Sequence, residues 1–341
     1  MGKKTLVAIN GFGRIGRAFF KLALERPELE VVAINDLGNI DNLAYLLRHD
    51  SVYGNYGKEV RAGTTSLTID GKEYPFISER DPAKLPWGKM NVDIVVESSG
   101  AFESYQKAYA HLAAGAKRVV ITAPAKDDDT ETFRTVLMGV NEDELKMCKI
   151  TSNGSCTTNS ASPIMEILSE KIGIKKAFLN TVHGYTATQS LVDSAVKGND
   201  YRRGRAGAVN IVPTSTGAAI AVGRAVHELL GRFDGVAMRV PVDTGSLSAI
   251  VFLSEKATTP DEINKILEEA AKEPRWAGIF TTTRDQIVST DIIGNPHAAI
   301  ADLGLTHVTL GDLCAVYSWY DNEMGYTHSL VRHVVKLAET I

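Results

Sequence analysis

A glycine-rich turn near the N-terminus constrains the fold more than any other stretch of this sequence. Residues 6–9 form a short apolar run typical of a buried parallel strand. The turn Gly11-Phe12-Gly13-Arg14-Ile15-Gly16 follows at once, residues 17–24 have helical apolar spacing, and residues 30–34 predict a second strand ending next to Asp36. A G-x-G-x-x-G turn between strand and helix, with an acid 25 positions after its first glycine, predicts dinucleotide binding. The three glycines would let the backbone approach a pyrophosphate at the helix N-terminus.

Asp36 bears on the choice of cofactor. A carboxylate at the end of the second strand can accept hydrogen bonds from both ribose hydroxyls of NAD. It would repel the 2′-phosphate of NADP by up to about 4 kcal/mol at about 4 Å and an effective dielectric near 20. The position therefore favours NAD, although a solvated acid at a strand end is the simpler alternative.

Strands and helices continue to alternate as far as residue 152. Residues 60–77 alternate in polarity around Asp70-Gly71, which predicts an antiparallel hairpin. The remaining predicted elements are helices at 41–48 and 104–113 and strands at 93–97, 118–121, 135–140 and 149–152. This alternation predicts a doubly wound α/β sheet, with ligand beyond the carboxyl ends of the strands. Thr122 lies at such an end, where it could contact a cofactor or cap a turn.

The second half of the chain has a different pattern. Helices are predicted from Ser215-Thr216-Gly217 to about residue 230, over 260–272, and over 323–340 after its first turn. Long β segments are predicted at 176–182, 236–242, 247–254, 286–293 and 306–319. Long strands with helices on one side predict an α+β domain. Residues 188–208 read as a polar loop that carries Lys197, Arg202, Arg203 and Arg205.

Cys156 lies in a run of small polar residues, Ser152-Asn153-Gly154-Ser155-Cys156-Thr157-Thr158-Asn159. A free thiol with a pKa near 8.5 is only about 3% ionised at neutral pH, and a helix N-terminus or an imidazole would activate it. His183 is the candidate imidazole, at the end of a predicted strand. A helix could begin at Ser155, but Pro163 would then be interior; a start capped by Ser162 is the alternative. A buried structural cysteine and a core histidine are the simpler readings of these two residues.

Composition limits the class of protein. A chain of 341 residues favours two domains, and a net charge of −4 provides no general attraction for nucleic acid or anionic membranes. No apolar run is long enough to span a bilayer, and residues 1–5 lead into a strand without a signal-like segment or a myristoylation motif. Three cysteines without zinc-like spacing favour a reducing, cytoplasmic setting and no metal.

Four motifs in this order make essentially the whole chain resemble phosphorylating glyceraldehyde-3-phosphate dehydrogenases. The motifs are Asn10-Gly11-Phe12-Gly13-Arg14-Ile15-Gly16-Arg17, the Cys156 run, His183-Gly184-Tyr185-Thr186 and Trp319-Tyr320-Asp321-Asn322-Glu323-Met324-Gly325-Tyr326. The resemblance implies a Rossmann NAD-binding domain at 1–155, joined by a C-terminal helix at about 322–341. It also implies a catalytic domain at 156–321, with a mostly antiparallel sheet, and a homotetramer. The implied reaction, part of glycolysis and gluconeogenesis, converts glyceraldehyde 3-phosphate, NAD and inorganic phosphate into 1,3-bisphosphoglycerate.

The resemblance also assigns roles to individual positions. Cys156 would form a hemithioacetal and then a thioester, and His183 would act as general base. Thr186 and Arg239 match the substrate-phosphate site, with Arg202 near both anion sites. The remaining matches are Ser155, Thr157, Thr216 and Gly217 for inorganic phosphate, and Arg14, Ile15, Asp36, Arg80, Thr122 and Asn322 for the cofactor.

The chain departs from the family pattern at several positions. Ser160 stands where a second cysteine is common, Met324 where tryptophan is usual, and Thr188 where many members have an acid. Residues 191–199 lack a proline-containing segment of many NAD-specific bacterial members, which leaves room for NADP. Erythrose-4-phosphate dehydrogenase is the enzymatic alternative. A nucleic-acid-binding protein, disfavoured by the acidic charge, and a thiol redox sensor are alternatives from other classes.

Overall fold

The computed structural model describes residues 4–196 and 198–341. Within them the chain divides into two compact units, the first made of 4–136, 142–154 and 330–341 and the second of 137–141 and 155–329. The expectations for residues 1–3, and Lys197 of the polar loop, lie outside the described residues.

The first unit is built on one large sheet. The strands of the first unit are β1 (Thr5–Asn10), β2 (Leu29–Asn35), β3 (His49–Asp50), β4 (Gly54–Asn55), β5 (Val60–Ala62), β6 (Ser66–Ile69), β7 (Lys72–Ile77), β8 (Ile94–Glu97), β9 (Arg118–Ile121), β10 (Phe133–Thr135) and β11 (Ile150–Ser152). Its helices are α1 (Arg14–Ala23), α2 (Ile40–Arg48) and α3 (Tyr105–Ala113). The sheet order is β10-β11-β9-β8-β1-β2-β7-β6-β5, and β3 and β4 form a separate hairpin.

The pairing confirms the predicted α/β class. From β10 to β7 every neighbouring pair is parallel, and β1 lies in the middle between β2 and β8. Strands β5, β6 and β7 pair antiparallel, as predicted from the alternation. Asp70 and Gly71 both have positive φ (48° and 81°), which is typical of the type I′ hairpin turn between β6 and β7.

The second unit has a mixed, mostly antiparallel sheet, also as predicted. Its strands are β12 (Ile174–Gly184), β13 (Val212–Ser215), β14 (Phe233–Val240), β15 (Ser246–Ser254), β16 (Phe280–Thr283), β17 (Ala299–Asp302), β18 (His307–Thr309) and β19 (Leu313–Tyr320). Their order is β13-β14-β12-β15-β19-β17-β16, with β18 beside β19. Its helices are α4 (Cys156–Ile172), α5 (Ala218–Ala225) and α6 (Pro260–Ala270), and a final helix, α7 (Met324–Ala338), enters the first unit at Leu330.

Helix α4 packs against β12, β15, β17 and β19, and α5 and α6 pack against α4. The side of α4 that faces the sheet changes in character along its length. Its later turns bury Ile164 and Leu168 completely, whereas its first turns bury Thr157 and Ser160. The apolar end anchors the helix, and the polar end lies where the chemistry is expected.

Two predicted strands of the second unit are wrong. Residues 286–293 form a short 3₁₀ turn at Ser289–Ile292, because the Asp291 carboxylate accepts from the backbone N–H of Val288 and stabilises local turn structure. Residues 306–319 are a hairpin rather than one strand, because Leu310 and Gly311 have φ of 52° and 84°. The helix predicted to reach residue 230 ends at Ala225, and in the first unit the strand predicted at 135–140 ends at Thr135.

Candidate active site

Cys156 is the first residue of α4, so the structure decides the open question of where this helix begins. Ser155 is the N-cap: its hydroxyl accepts from the Thr158 N–H (3.1 Å), and the Thr158 hydroxyl accepts from the Ser155 N–H (3.1 Å). Pro163 lies inside the helix. The helix start capped by Ser162 is therefore wrong, and the partial positive charge of the helix N-terminus lies at the thiol.

The second sheet supplies the groups that face this helix start. His183 on β12 pairs in register with Arg239 on β14 and with Ser246 on β15, and Ser246 pairs with Tyr320 on β19. Cross-strand partners project from the same face of a sheet. One row across four strands therefore presents a guanidinium, an imidazole, a hydroxyl and a phenol to the N-terminal turn of α4.

Cys156 and His183 are in contact, with Sγ and Nε2 3.3 Å apart. The other ring nitrogen, Nδ1, lies 2.7 Å from the carbonyl oxygen of Gly184. The Gly184 carbonyl only accepts and suits a proton on Nδ1, whereas the Arg239 guanidinium, which only donates, contacts the same nitrogen and suits a lone pair there. In the tautomer with the proton on Nδ1, Nε2 presents its lone pair to the thiol, which is the arrangement a general base requires.

Arg239 lies against the same imidazole. Its guanidinium contacts His183 Nδ1 and donates to the Gly184 carbonyl at 3.2 Å. Burial, followed by the charge of Arg239, lowers the pKa of His183 to about 3. Imidazole is therefore neutral, and able to accept a proton, throughout the physiological range.

Burial raises the pKa of Cys156, and the charge of Arg239 and the N–H of Thr157 oppose this effect. Cys156 is partly accessible to solvent, so its surroundings are crowded but not sealed. Both pKa directions favour the uncharged thiol and imidazole. Moving the thiol proton to Nε2 creates opposite charges about 3.3 Å apart, and their attraction offsets part of the cost of ionisation.

The predicted substrate-phosphate residues are only partly brought together. Thr186 follows β12, and its hydroxyl lies 3.0 Å from that of Thr188. Arg203 donates to Thr188 at 3.3 Å, and its charge contributes to lowering the pKa of Arg239, after burial. Arg202 on the same 3₁₀ turn is exposed, and among the described residues its side chain has no hydrogen-bond partner. The geometry favours Arg203 over Arg202 for this site, and the assignment of Arg202 stays a prediction.

The predicted inorganic-phosphate residues lie at two helix starts. The Thr157 hydroxyl is 2.8 Å from that of Tyr320, and the Ser155 hydroxyl is used in the cap, so both already have protein partners. Thr216 accepts from the Ala218 N–H (3.2 Å), and Gly217 is the N-cap of α5. Backbone N–H groups, more than side-chain hydroxyls, are therefore available for an anion at these helix starts.

Asn322 follows β19 and is buried. Its carbonyl oxygen accepts from the Gly245 N–H (2.9 Å) and from the Ser246 hydroxyl (3.2 Å). These bonds fix the orientation of the amide and leave its NH₂ group for a further acceptor. An acceptor such as the carboxamide oxygen of nicotinamide suits that group.

The glycine-rich turn of the first unit forms a cradle that side chains would fill. Gly11 has φ of 98°, and a Cβ there would lie 2.4 Å from the backbone nitrogen of Ser99. A Cβ on Gly16 would lie 2.1 Å from the Gly11 carbonyl oxygen. Gly13, the N-cap of α1, has open space around its Cα and no side-chain cap. Its neighbour Ile15 is half-buried in the first turn. The turn therefore leaves the N-terminus of α1 open to a pyrophosphate, and these residues fit a dinucleotide.

The other predicted cofactor residues surround this turn. Asp36 accepts from the N–H groups of Phe12 (2.6 Å) and Gly38 (2.7 Å), which holds each carboxylate oxygen in place with capacity for a ribose hydroxyl. Arg14 pairs with Asp50 at 3.2 Å. Thr122 donates to the Glu97 carbonyl at 3.1 Å, and Arg80 is exposed.

Tyr320 is a site residue that sequence reasoning missed, although it lies in one of the four motifs. Its hydroxyl is 2.7 Å from that of Thr181 and 2.8 Å from that of Thr157, and its ring packs edge-on against His183. It therefore ties the helix start to the sheet beside the imidazole.

Within residues 4–196 and 198–341, no cluster of three histidine, cysteine or acidic side chains is arranged to hold a metal ion. Among the helices so described, none has the length and apolar character needed to cross a membrane.

Comparison with known proteins agrees with this geometry. Residues 5–105 match the family model of the glyceraldehyde 3-phosphate dehydrogenase NAD binding domain, and residues 155–322 match that of the C-terminal domain. Glyceraldehyde-3-phosphate dehydrogenase 1 of Bacillus subtilis is 47% identical over 327 residues, covering 95% of this chain and 96% of the relative. Glyceraldehyde-3-phosphate dehydrogenase of Streptomyces coelicolor is 45% identical and covers 95% of this chain and 96% of the relative. The protein of that name from Clostridium pasteurianum is 44% identical and covers 96% of this chain and 97% of the relative. The chain belongs to the glyceraldehyde-3-phosphate dehydrogenase family.

Proposed function

We propose that the protein oxidises glyceraldehyde 3-phosphate with NAD and inorganic phosphate to 1,3-bisphosphoglycerate. The observation that carries the proposal is the 3.3 Å contact between the Cys156 sulfur, at a helix N-terminus, and Nε2 of a neutral His183. The relatives reported above are named glyceraldehyde-3-phosphate dehydrogenases, and their similarity extends over nearly the whole chain.

The first half of the reaction forms a bond between sulfur and the aldehyde carbon. The Cys156 thiol gives up its proton to Nε2 of His183, the sulfur electron pair adds to the carbonyl carbon, and the imidazolium returns the proton to the carbonyl oxygen, which gives a hemithioacetal. His183 then accepts the hemithioacetal hydroxyl proton as the carbon is oxidised to a thioester. NAD, bound at the glycine-rich turn and Asp36, would supply the acceptor for the hydride, which carries both electrons of the oxidation.

The second half breaks the carbon–sulfur bond. A phosphate oxygen attacks the thioester carbonyl carbon, the acyl phosphate leaves, and the electron pair returns to the sulfur of Cys156. The backbone N–H groups at the start of α4 are suited to stabilise the oxyanion. For the inorganic phosphate we assign Ser155 and Thr157 with Thr216 and Gly217.

For the substrate phosphate we assign Thr186, Arg239 and Arg203. Two guanidinium groups are a strong binding site for a dianion, because each can donate two hydrogen bonds to phosphate oxygens. Arg239 touches both His183 and the proposed phosphate site, so substrate binding is coupled to the base. Asn322 is assigned to the carboxamide of the nicotinamide.

Initial rates of NADH formation test the proposal. The rate with glyceraldehyde 3-phosphate should depend on added phosphate, and equal rates with and without phosphate would contradict the acyl-phosphate product. kcat/KM for erythrose 4-phosphate, measured in parallel, should be lower. A reversed order would favour the four-carbon enzyme.

We also propose a homotetramer in the cytoplasm. The face of the second sheet opposite α4 exposes Phe178, Val182 and Val251, with 39% to 49% of each side chain accessible. The loop after β12 exposes five apolar residues to 70% or more: Leu191, Val192, Tyr201, Val209 and Ile211. Apolar patches of this kind favour association with further copies of the chain. Sedimentation equilibrium that yields a monomer at micromolar concentration would contradict the tetramer. The cytoplasm suits three cysteines that form no disulfide in the structure.

A further inference from the structure

A buried polar network lies beneath the glycine-rich turn, in a part of the molecule to which the reaction above assigns no role. Asn35, Asn10 and Glu97 are the last residues of β2, β1 and β8, and they are cross-strand partners in one row. All three are at least 96% buried. The next residues along the three strands are Asp36, Gly11 and Ser98, which begin the cofactor-binding segments.

Glu97 is the centre of this network. One carboxylate oxygen accepts from the Asn10 amide and from His111 Nε2 (2.8 Å), and the other accepts from the N–H (2.9 Å) and hydroxyl of Ser99. Four donors match the four lone pairs of a carboxylate. Among the described residues, these hydrogen-bond partners include no lysine or arginine.

His111 lies between Glu97 and Trp87. The indole N–H of Trp87, which can only donate, points at Nδ1 of His111 over 3.0 Å, so the proton of the neutral ring is on Nε2 and points at Glu97. Trp87 and His111 are both fully buried. The Glu97 carboxyl group is thus buried among four hydrogen-bond donors, an arrangement that is costly unless every bond is made.

The network continues to the other side of the turn. Asn10 accepts from Asn35 (2.7 Å), and Asn35 exchanges hydrogen bonds of 2.9 Å with the backbone of Glu79, next to Arg80. Ser99, held by Glu97, is the residue whose backbone a Cβ on Gly11 would strike. Glu97 is therefore linked to both walls of the cradle.

We propose that Glu97 is a positioning residue for NAD, which acts through Asn10 and Ser99 without touching the cofactor. Its four acceptor sites fix the spacing of the carboxyl ends of β2, β1 and β8, and so the width of the cradle that receives the pyrophosphate and ribose. Glutamine at position 97 has the same shape as glutamate, but its NH₂ group replaces one acceptor oxygen and would face two other donors. The proposal rests on the assignment of the glycine-rich turn to NAD.

The test compares Glu97→Gln with Thr151→Val in the full-length protein. Thr151, on β11 of the same sheet, is fully buried, and its hydroxyl lies 2.8 Å from Nε2 of His333, so its variant also loses a buried hydrogen bond. Glu97→Gln should raise the Kd for NAD tenfold or more, by titration calorimetry, and the KM for NAD similarly. It should leave the KM for glyceraldehyde 3-phosphate and kcat at saturating NAD within threefold. Thr151→Val should lower Tm and leave the Kd for NAD within twofold.

An unchanged Kd in Glu97→Gln, or an equal rise in Thr151→Val, would overturn the proposal. If Glu97→Gln does not fold, Ser99→Ala removes only one of the four donors and should weaken NAD binding about threefold; an unchanged Kd there would also overturn it. The wild-type protein is titrated alongside, because failure to bind NAD at all would instead contradict the assignment of the turn.

Discussion

Replacing His183 with asparagine removes the acceptor that faces the Cys156 sulfur. The variant side chain is shorter than imidazole and much less basic, so it cannot take the thiol proton across the present 3.3 Å contact. Burial of the site and the neighbouring Tyr320 ring should keep the surrounding strands in place. The expected loss is therefore chemical rather than structural.

Its magnitude follows from the two proton transfers assigned to His183. A positioned general base contributes roughly 10²–10⁴ in rate, which is about 2.7–5.5 kcal/mol of activation free energy. The charge of Arg239 changes the contribution of His183, because a unit charge on the order of 4 Å away disfavours protonation of the imidazole by about 4 kcal/mol at an effective dielectric near 20. A substrate phosphate that neutralises Arg239 should raise the pKa of His183 from about 3 and make it a better base.

Two assays separate the roles. Alkylation of Cys156 by iodoacetamide reports ionisation of the thiol, whereas NADH formation reports ionisation and the hydride step together. We expect kcat/KM for glyceraldehyde 3-phosphate to fall about 10³-fold in His183→Asn, and alkylation to fall less. The loss of turnover should be smaller with unphosphorylated glyceraldehyde, which leaves Arg239 charged.

Tyr320→Phe is the matched control. It loses the hydroxyl bonded to Thr157 and Thr181 but keeps the ring against His183, so kcat/KM should stay within tenfold of the wild type. A His183→Asn variant with kcat/KM within tenfold of the wild type would refute the assignment of the base. Equal losses of alkylation and turnover would refute its role in the hydride step.

Three further predictions concern other groups. Asp36→Asn keeps the shape of the side chain but removes the charge that we propose faces the ribose, so the ratio of kcat/KM for NADP to that for NAD should rise tenfold or more. Arg203→Ala should raise the KM for glyceraldehyde 3-phosphate at least tenfold while Arg202→Ala stays within twofold, and the opposite pattern in initial rates would favour Arg202, the residue predicted from sequence. Burial depresses the pKa of His183 and of His333 to about 3, below the unfolded value near 6.5, so the folded state binds fewer protons and loses stability as pH falls from 6.5 towards 3. Between pH 6.5 and pH 5 each histidine should lower the free energy of unfolding by up to about 2 kcal/mol. Thermal unfolding of His333→Asn at these two pH values should therefore show a smaller difference in Tm than the wild type.

The dinucleotide unit could be predicted because its signals are local in the sequence. The strand, the glycine-rich turn, the helix and Asp36 occupy one continuous stretch, and each has a steric or electrostatic reason to be where it is. The Gly11 φ of 98° and the close approach of Ser99 are what the motif requires. The network of Glu97 was not predicted, because Asn10 and Asn35 precede Glu97 by 87 and 62 positions in the sequence and meet it only through strand register.

The start of α4 could not be predicted because two effects of similar size compete. An interior proline costs about 3 kcal/mol, which argued for a start after Cys156. The Ser155–Thr158 capping box contributes about 1 kcal/mol, and each of the buried side chains Ile164 and Leu168 about 1.5–3 kcal/mol. Tertiary packing, absent from a local pattern, outweighs the proline. The choice between Arg202 and Arg203 was equally inaccessible, because one residue of a 3₁₀ turn rotates a side chain by about 120°.

The contact between sulfur and imidazole depends on how α4 is seated on the sheet, and Ser160 shows how that seating is fixed. Ser160 donates to Ser318 at 3.0 Å, and one turn earlier Thr157 meets Tyr320 at 2.8 Å. Both pairs are buried and directional, so a sliding of the helix by a fraction of a turn would break them and leave buried hydroxyls unpaired. Purely apolar contacts between α4 and the sheet would allow such sliding with little loss of free energy. The hydroxyl of Ser160 therefore helps to hold the Cys156 thiol at its distance of 3.3 Å from Nε2 of His183.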